Sequence, residues 1–133
     1  MTLEVGQRRV LVVDDNVEAA ELLQTLLEME NYVVRIASDG NAGLSQAASF
    51  TPQVVISDIR MPGMTGFELA TALRLSDGGS DLLLIAVSGY LGSDAKKDVF
   101  DAGFDKCLLK PVVYDDISSM LGAHFEHPRM QNC

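Results

Sequence analysis

The sequence predicts one α/β domain, a doubly wound and mostly parallel sheet covered by helices on both faces. Five short apolar runs alternate with five segments that carry apolar residues at helical spacing, which is typical of parallel strands joined by helices. The runs lack polar alternation, as expected for strands buried on both faces. Of the 133 residues, 47% are hydrophobic, so the chain can bury the core of a single domain.

The first strand is predicted at Arg9–Val13, a β-branched run that ends abruptly in acidic residues. Leucines at helical spacing then predict a helix from about Val17 to Glu30, and Asn31 marks its end. The second strand is predicted at Tyr32–Ile36. The domain is therefore predicted to begin with a strand–helix–strand unit.

The second helix is predicted after the turn and cap Ser38-Asp39-Gly40. It is expected to end near Thr51 because a residue that precedes proline avoids helical geometry. The third strand, Val54–Asp58, breaks into a Pro-Gly loop, and the third helix is predicted at Phe67–Leu75.

The second half of the chain continues the alternation. A flexible loop is predicted at residues 76–80, and Leu82–Val87 forms the fourth strand. Ser93-Asp94 caps a fourth helix, which Gly103 closes. The remaining elements are the fifth strand Lys106–Leu109 and a last helix from Tyr114 to about Leu121. We expect an N-terminal lead at residues 1–7, a domain at 8–122 and a tail without clear period at 123–133.

Composition narrows the functional class. The net charge of −9 argues against direct binding to nucleic acid. No apolar run is long enough to span a bilayer, and the first residues lack the pattern of a signal peptide. The two cysteines, Cys107 and Cys133, form no disulfide framework. We therefore expect a cytoplasmic protein that binds neither membrane nor nucleic acid.

Polar residues stand where the predicted strands end. The first strand runs into Asp14 and Asp15, the third ends in Asp58, the fourth runs into Ser88 and the fifth into Lys110. The carboxyl ends of parallel strands share one edge of the sheet, where open α/β sheets bind ligands. The sequence therefore predicts one pocket that contains all five residues.

Three neighbouring carboxylates repel one another unless a cation lies among them. Oxygen ligands without His or Cys favour a hard ion, and Mg²⁺ is the ion that we expect. Asp58 is then a plausible nucleophile that forms an aspartyl-phosphate, while the metal, Lys110 and the Ser88 hydroxyl neutralise the transferred group. Taken singly, each residue has a plainer interpretation: Asp58 as a turn residue, Asp15 or Asn16 as a helix cap, and Ser88 as part of a turn.

Four motifs follow one another at the strand ends: Val10-Leu11-Val12-Val13-Asp14-Asp15-Asn16, Asp58-Ile59-Arg60-Met61-Pro62-Gly63-Met64-Thr65-Gly66, Ala86-Val87-Ser88-Gly89 and Leu109-Lys110-Pro111. From about Arg8 to Leu121 the chain resembles the receiver domain of two-component response regulators, including chemotaxis response regulators and the receivers of hybrid histidine kinases. The resemblance implies a (βα)5 flavodoxin-like fold with strand order 2-1-3-4-5.

The resemblance also implies a role for each matching residue. Asp58 corresponds to the phosphoacceptor, and Asp14, Asp15, Asp58 and the main-chain carbonyl of Arg60 correspond to the Mg²⁺ ligands. Ser88 corresponds to the switch hydroxyl. Lys110 corresponds to the phosphate-binding lysine, and its bond to the following proline is expected to be cis.

Two features depart from the family pattern or vary within it. Cys107 stands where the family usually has a switch aromatic, so the usual inward turn of a ring is in doubt, and we expect Cys107 to be a packing residue. Tyr90 and Arg60 occupy the variable positions that tune access of hydrolytic water, and we expect both to affect the phosphoryl lifetime.

The resemblance implies a sensor histidine kinase or histidine phosphotransfer protein as phosphoryl donor, docked near the first helix. The output is expected through the fourth helix, fifth strand and fifth helix, towards a downstream partner or a fused output domain. Slow autodephosphorylation completes the expected cycle.

Two other functions remain open at this stage. A haloacid-dehalogenase type phosphatase would use Asp14 as nucleophile, but its partner acid is replaced by Asn16. A receiver fold without phosphate switching would not need the acid triad and lysine. In the tail, His124, His127 and Cys133 could bind a metal, although two solvated histidines are the more common outcome.

Overall fold

The computed structural model describes residues 7–89 and 93–126, with the backbone alone described for 93–96. Five strands alternate with five helices and one short 3-10 helix at Gly79–Asp81. The strands are β1 Arg9–Val13, β2 Val33–Ala37, β3 Val54–Asp58, β4 Leu83–Ser88 and β5 Lys106–Leu109. The helices are α1 Val17–Met29, α2 Gly40–Phe50, α3 Gly66–Leu75, α4 Ser93–Ala102 and α5 Tyr114–Glu126.

The strands form one parallel sheet in the order β2-β1-β3-β4-β5, which confirms the predicted flavodoxin-like topology. Helices α1 and α5 cover one face, where they bury Val12, Ile56 and Ile117 among others. Helices α2, α3 and α4 cover the other face around residues such as Leu11, Leu69 and Val99. Alternate residues of β1 therefore enter two separate cores, which is why the predicted strands show no polar alternation.

Most predicted bounds agree with the structure to within a residue or two. Strands β2 and β4 each lie one residue later than predicted, and α1 ends at Met29, followed by Asn31 with a φ of 72°. Asp39 caps α2, as predicted, by accepting a hydrogen bond of 2.7 Å from the Ala42 amide. None of the described helices has the length and apolar character needed to cross a bilayer.

The prediction that the last helix ends near Leu121 is wrong, because α5 continues to Glu126. Its last turn is held by the Phe125 ring, which lies 5.6 Å from the Tyr32 ring and 5.5 Å from the Arg8 guanidinium carbon. Because these partners come from the other end of the chain, helical periodicity within the segment did not show the extension.

Arg74 joins three elements at the edge opposite the acidic residues. Its guanidinium donates hydrogen bonds to the carbonyls of Gly79, Leu82 and Gly103 and to the Asp105 carboxylate, at 2.7–2.9 Å. One arginine therefore ties the end of α3 to the starts of β4 and β5, and it spans the loop predicted at residues 76–80.

Candidate functional site

The acid pair lies at the carboxyl end of β1, where the strand leaves the sheet. The Asp14 amide donates to the Ala37 carbonyl (3.0 Å), so the chain is still paired with β2 at this point. The Asn16 amide donates to Asp14 Oδ1 (2.9 Å), and Asn16 Oδ1 accepts from the Ala19 amide (3.2 Å). Asn16 is therefore the cap of α1. Asp14 is half-buried and Asp15 is exposed at the rim.

Asp58 is the last residue of β3, a strand buried along its whole length, and only 6% of Asp58 is exposed. Its Oδ2 lies 3.1 Å from Lys110 Nζ. The main chain reinforces this pairing, since the Lys110 amide donates to the Ser88 carbonyl at 2.8 Å. Asp58 is thus a buried carboxylate at the end of a strand, with an ammonium group beside it.

The three carboxylates meet at this edge. One oxygen from each of Asp14, Asp15 and Asp58 lies within 4.8 Å of the others. Burial raises the pKa of Asp14, the hydrogen bond from the Asn16 amide opposes that shift, and the charge of Asp58 adds to it. A cation bound among these carboxylates would relieve their mutual electrostatic repulsion. The all-oxygen set is compatible with a site for a hard metal ion.

Ser88 completes the row of strand ends. It is the last residue of β4, is 2% exposed and pairs with Leu109 of β5. In the neighbouring register Asp58 pairs with Val87, so Ser88 lies one residue beyond the level of Asp58. All five predicted site residues are therefore at one edge. The cis Lys110–Pro111 bond also agrees with the expectation.

The loop after β3 is held by buried residues at its start and by Gly66 at its end. Ile59 and Met61 are buried, while Arg60 between them is exposed. Gly66 lies so close to β3 that an added Cβ would meet the Asp58 carbonyl oxygen and, at 2.8 Å, the Ile59 Cα. Its amide donates to the Ile59 carbonyl (2.8 Å). A glycine is thus required where α3 begins, directly behind Asp58.

Helix α3 starts with a capping box that fixes its first turn behind this loop. The Thr65 hydroxyl accepts a hydrogen bond from the Glu68 amide (3.2 Å), and Glu68 Oε1 accepts one from the Thr65 amide (2.9 Å). This box was not predicted, although Thr65 followed by Glu68 three residues later is its recognised signature.

A cavity of about 540 Å³ extends from the acidic edge between α1 and α5. Asp14, Asp58 and Lys110 line it together with apolar residues of both helices, including Leu22 and Ile117. This cavity was not predicted from the sequence. The neighbouring pairs Leu22-Leu23 and Leu26-Leu27 were the available signal, because they give α1 more apolar residues than one buried stripe requires, and Leu22 is 62% exposed.

Of the other residues singled out in the sequence, some lie in the described part of the chain and some do not. Cys107 is half-buried, pairs with Ala86 and packs against the core under α3 and α4, as expected of a packing residue. The His124 ring packs edge-on against Phe125 at 5.3 Å, and burial lowers the pKa of His124. Tyr90, His127 and Cys133 lie outside the described residues, and so do the side chains predicted to cap α4.

Known proteins match almost the whole chain. The model of the response regulator receiver domain family matches residues 10–122. The crystal structure of a CheY-like receiver domain protein from Methanospirillum hungatei has a TM-score of 0.84 at 28% identity, with 95% of this chain and 99% of that chain covered.

Two longer relatives contain a similar segment. Response regulator MprA of Mycolicibacterium vanbaalenii is 32% identical over 115 residues, which cover 86% of this chain and 49% of that protein. Sensor histidine kinase RcsC of Salmonella typhi is 31% identical over 120 residues, which cover 90% of this chain and 12% of the kinase. The chain spans about half the length of this response regulator and a small part of the kinase.

Proposed function

The chain belongs to the response regulator receiver domain family, and from that premise we propose that Asp58 accepts a phosphoryl group from a phosphohistidine partner. The chain functions in phosphorelay signal transduction as a receiver domain. The observation that carries the assignment of Asp58 is its position: a buried carboxylate at a strand end, 3.1 Å from Lys110 Nζ and within reach of two further carboxylates.

Asp14, Asp15 and Asp58, together with the main-chain carbonyl of Arg60, would hold Mg²⁺. Support comes from the all-oxygen donor set and from the charges of Asp58 and Asp15, which act in the same direction as burial and raise the pKa of Asp14. When bound, Mg²⁺ withdraws charge from the phosphoryl oxygens during transfer.

The transfer requires Asp58 to lie in line with the donor and, in this proposal, the divalent ion that the acidic cluster would hold. A carboxylate oxygen of Asp58 attacks phosphorus while the P–N bond to the partner's imidazole breaks, and the bonding electron pair leaves on the imidazole nitrogen. Lys110 then pairs with an oxygen of the new acyl phosphate, and the Ser88 hydroxyl donates a hydrogen bond to another. Rigid placement of these groups lowers the barrier because no reorganisation is needed during the reaction.

The same site would reverse the signal without a second enzyme. A water molecule attacks phosphorus, the P–O bond to Asp58 breaks, and inorganic phosphate leaves as the carboxylate is restored. We propose that this autodephosphorylation is slow. One structural reason is that Asp58 is almost fully buried, which limits the directions from which water can approach.

We propose that the donor is a sensor histidine kinase or a histidine phosphotransfer protein that docks beside α1 in the cytoplasm. The output would pass through α4, β5 and α5 to a downstream partner or to an output domain on the same polypeptide. We assign the receiver unit to residues 8–122. Because Cys107 stands where the family usually has an aromatic ring, the signal from phosphorylated Asp58 would reach the output face without the inward turn of a ring.

Phosphoramidate, a small donor that needs no kinase, tests the proposal directly. We expect one phosphoryl group per wild-type chain by mass spectrometry, and none when EDTA removes divalent ions. Asp58→Asn should abolish labelling, while Asp98→Asn, which changes an exposed aspartate of α4, should label normally. Labelling that persists in Asp58→Asn but disappears in Asp14→Asn would support a phosphatase-like nucleophile instead.

A further inference from the structure

Gly40, the first residue of α2, is buried against the loop that follows Asp58. A Cβ at this position would lie 2.7 Å from Met64 Cβ, 2.8 Å from Met64 Cγ and 2.9 Å from Met64 Sδ. Carbon atoms in contact normally stay at about 3.5–4.0 Å. Because Met64 Cβ is bonded to the main chain, no side-chain rotation removes the overlap, and either the loop or the start of α2 would have to move.

The start of α2 is connected to the acid pair on its other side. The Ala37 carbonyl, at the end of β2, accepts the hydrogen bond from the Asp14 amide. Asp39 then caps α2 directly before Gly40. Only Ser38 and Asp39 therefore separate the residue bonded to Asp14 from the residue in contact with Met64.

The loop is held at the buried Met61 and at Gly66, and the residues directly after Met61 are exposed. Pro62 and Gly63 are exposed, and Gly63 would meet nothing within 4 Å if it carried a Cβ. Met64 is half-buried and packs against the core of the α2, α3 and α4 face. Met64 is thus the point at which the middle of the loop rests on the body of the domain.

We propose that the Gly40–Met64 contact is a positioning contact of the metal site, which keeps the loop carbonyl of Arg60 at the correct distance from Asp14 and Asp15. The inference rests on the proposed function, since it concerns the same site. Mg²⁺ demands near-ideal octahedral geometry with short metal–oxygen distances, so a shift of several tenths of an ångström on one side of the site weakens binding.

Gly40→Ala separates this role from a purely structural one. Alanine is the better helix former, so helix propensity alone gives no reason for the variant to be less stable. The overlap with Met64 instead predicts weaker Mg²⁺ binding, by about 10-fold, the lower end of the effect of residues that orient metal ligands. Gly122→Ala is the matched control, because it is also a helical glycine and has open space around it.

The double variant Gly40→Ala/Met64→Gly tests the contact itself. Removing the whole Met64 side chain, including its Cβ, relieves all three close approaches, so most of the lost Mg²⁺ affinity should return. Titration calorimetry with MgCl2 measures the affinity of all variants. Amide hydrogen exchange of metal-free protein gives a second readout, in which the Gly66 amide should exchange faster in Gly40→Ala than in wild type or Gly122→Ala.

The results separate the possible explanations. Wild-type Mg²⁺ affinity and Gly66 exchange in Gly40→Ala would overturn the inference, and so would a double variant that binds Mg²⁺ no better than Gly40→Ala. If Gly40→Ala does not fold, Met64→Ala alone should weaken Mg²⁺ binding and accelerate Gly66 exchange, and its failure to do both would overturn the inference. A wild-type protein without Mg²⁺ affinity would overturn the proposed function, while Gly66 exchange would still decide whether the contact holds the loop.

Discussion

Lys110 holds the one positive charge that contacts the buried Asp58 carboxylate among the described residues, and we expect Lys110→Met to destabilise the metal-free protein. The Asp58 side chain is 7% exposed and the Lys110 side chain 41%, with their charged atoms 3.1 Å apart. At an effective dielectric constant of 20, the attraction is about 5 kcal/mol. Desolvation and the exposure of the lysine offset most of it, which leaves a net loss of about 1–3 kcal/mol.

Magnesium should reduce this loss. The Lys110 charge also lowers the pKa of Asp14, so its removal increases the repulsion in the whole acidic cluster. A bound divalent cation would relieve that repulsion, and Mg²⁺ should therefore bind the variant more tightly than it binds wild type. By linkage, the difference in free energy of unfolding between wild type and Lys110→Met shrinks as Mg²⁺ is added.

Urea unfolding followed by circular dichroism, with EDTA and with Mg²⁺, measures both effects. Lys97→Met is the control, because Lys97 forms a 2.6 Å salt bridge with Asp101 in which both side chains are mostly exposed. We expect no measurable change for the control and no dependence on Mg²⁺. An equal loss for Lys110→Met in EDTA and in Mg²⁺ would refute the view that the lysine and the metal neutralise the same carboxylates.

Changes at three further residues probe the site and its support. Burial raises the pKa of the Asp14 carboxyl above its unfolded value of 3.8. The stability that this carboxyl contributes is therefore present below the unfolded value and is lost as pH rises through the folded pKa. Asp14→Asn should thus raise the Tm of metal-free protein at pH 7 but not near pH 4, and a gain independent of pH would contradict this. Gly66→Ala should cost about 1–3 kcal/mol in urea unfolding because the added Cβ meets main-chain atoms of β3; unchanged stability would show that the close approach is not rigid. Arg74→Ala should lower the free energy of unfolding by about 2–4 kcal/mol in the same assay, since it leaves three carbonyls and Asp105 without the guanidinium that donates to them. Arg74→Lys should recover less than half of this loss, because an ammonium group cannot reach all four partners. Full recovery would refute this set of hydrogen bonds.

The sequence allowed the sheet and the acidic edge to be predicted because both depend on local patterns. A buried apolar run that ends in a carboxylate can be read from neighbouring residues, as at Val54–Asp58, and the parallel arrangement then brings distant strand ends together. The strand order, by contrast, came from the resemblance to a family and from no periodicity in the chain.

What sequence reasoning missed depends on contacts between distant segments. The extension of α5 rests on Phe125 against Tyr32 and Arg8, and nothing within the last twelve residues indicates those partners. The close fit of Gly40 to Met64 is likewise invisible in the sequence, where Gly40 reads only as part of a turn. Side-chain packing of this kind is a property of the assembled domain.

Borohydride trapping tests the central claim most directly. An aspartyl-phosphate is an acyl phosphate, which borohydride reduces at the acyl carbon and so converts the aspartate to homoserine, whereas an unmodified carboxylate is not reduced. Wild-type protein treated with phosphoramidate and Mg²⁺, then with borohydride, is digested and mapped by mass spectrometry. We predict homoserine at position 58 alone; homoserine at position 14 or 15, with Asp58 unchanged, would contradict the account.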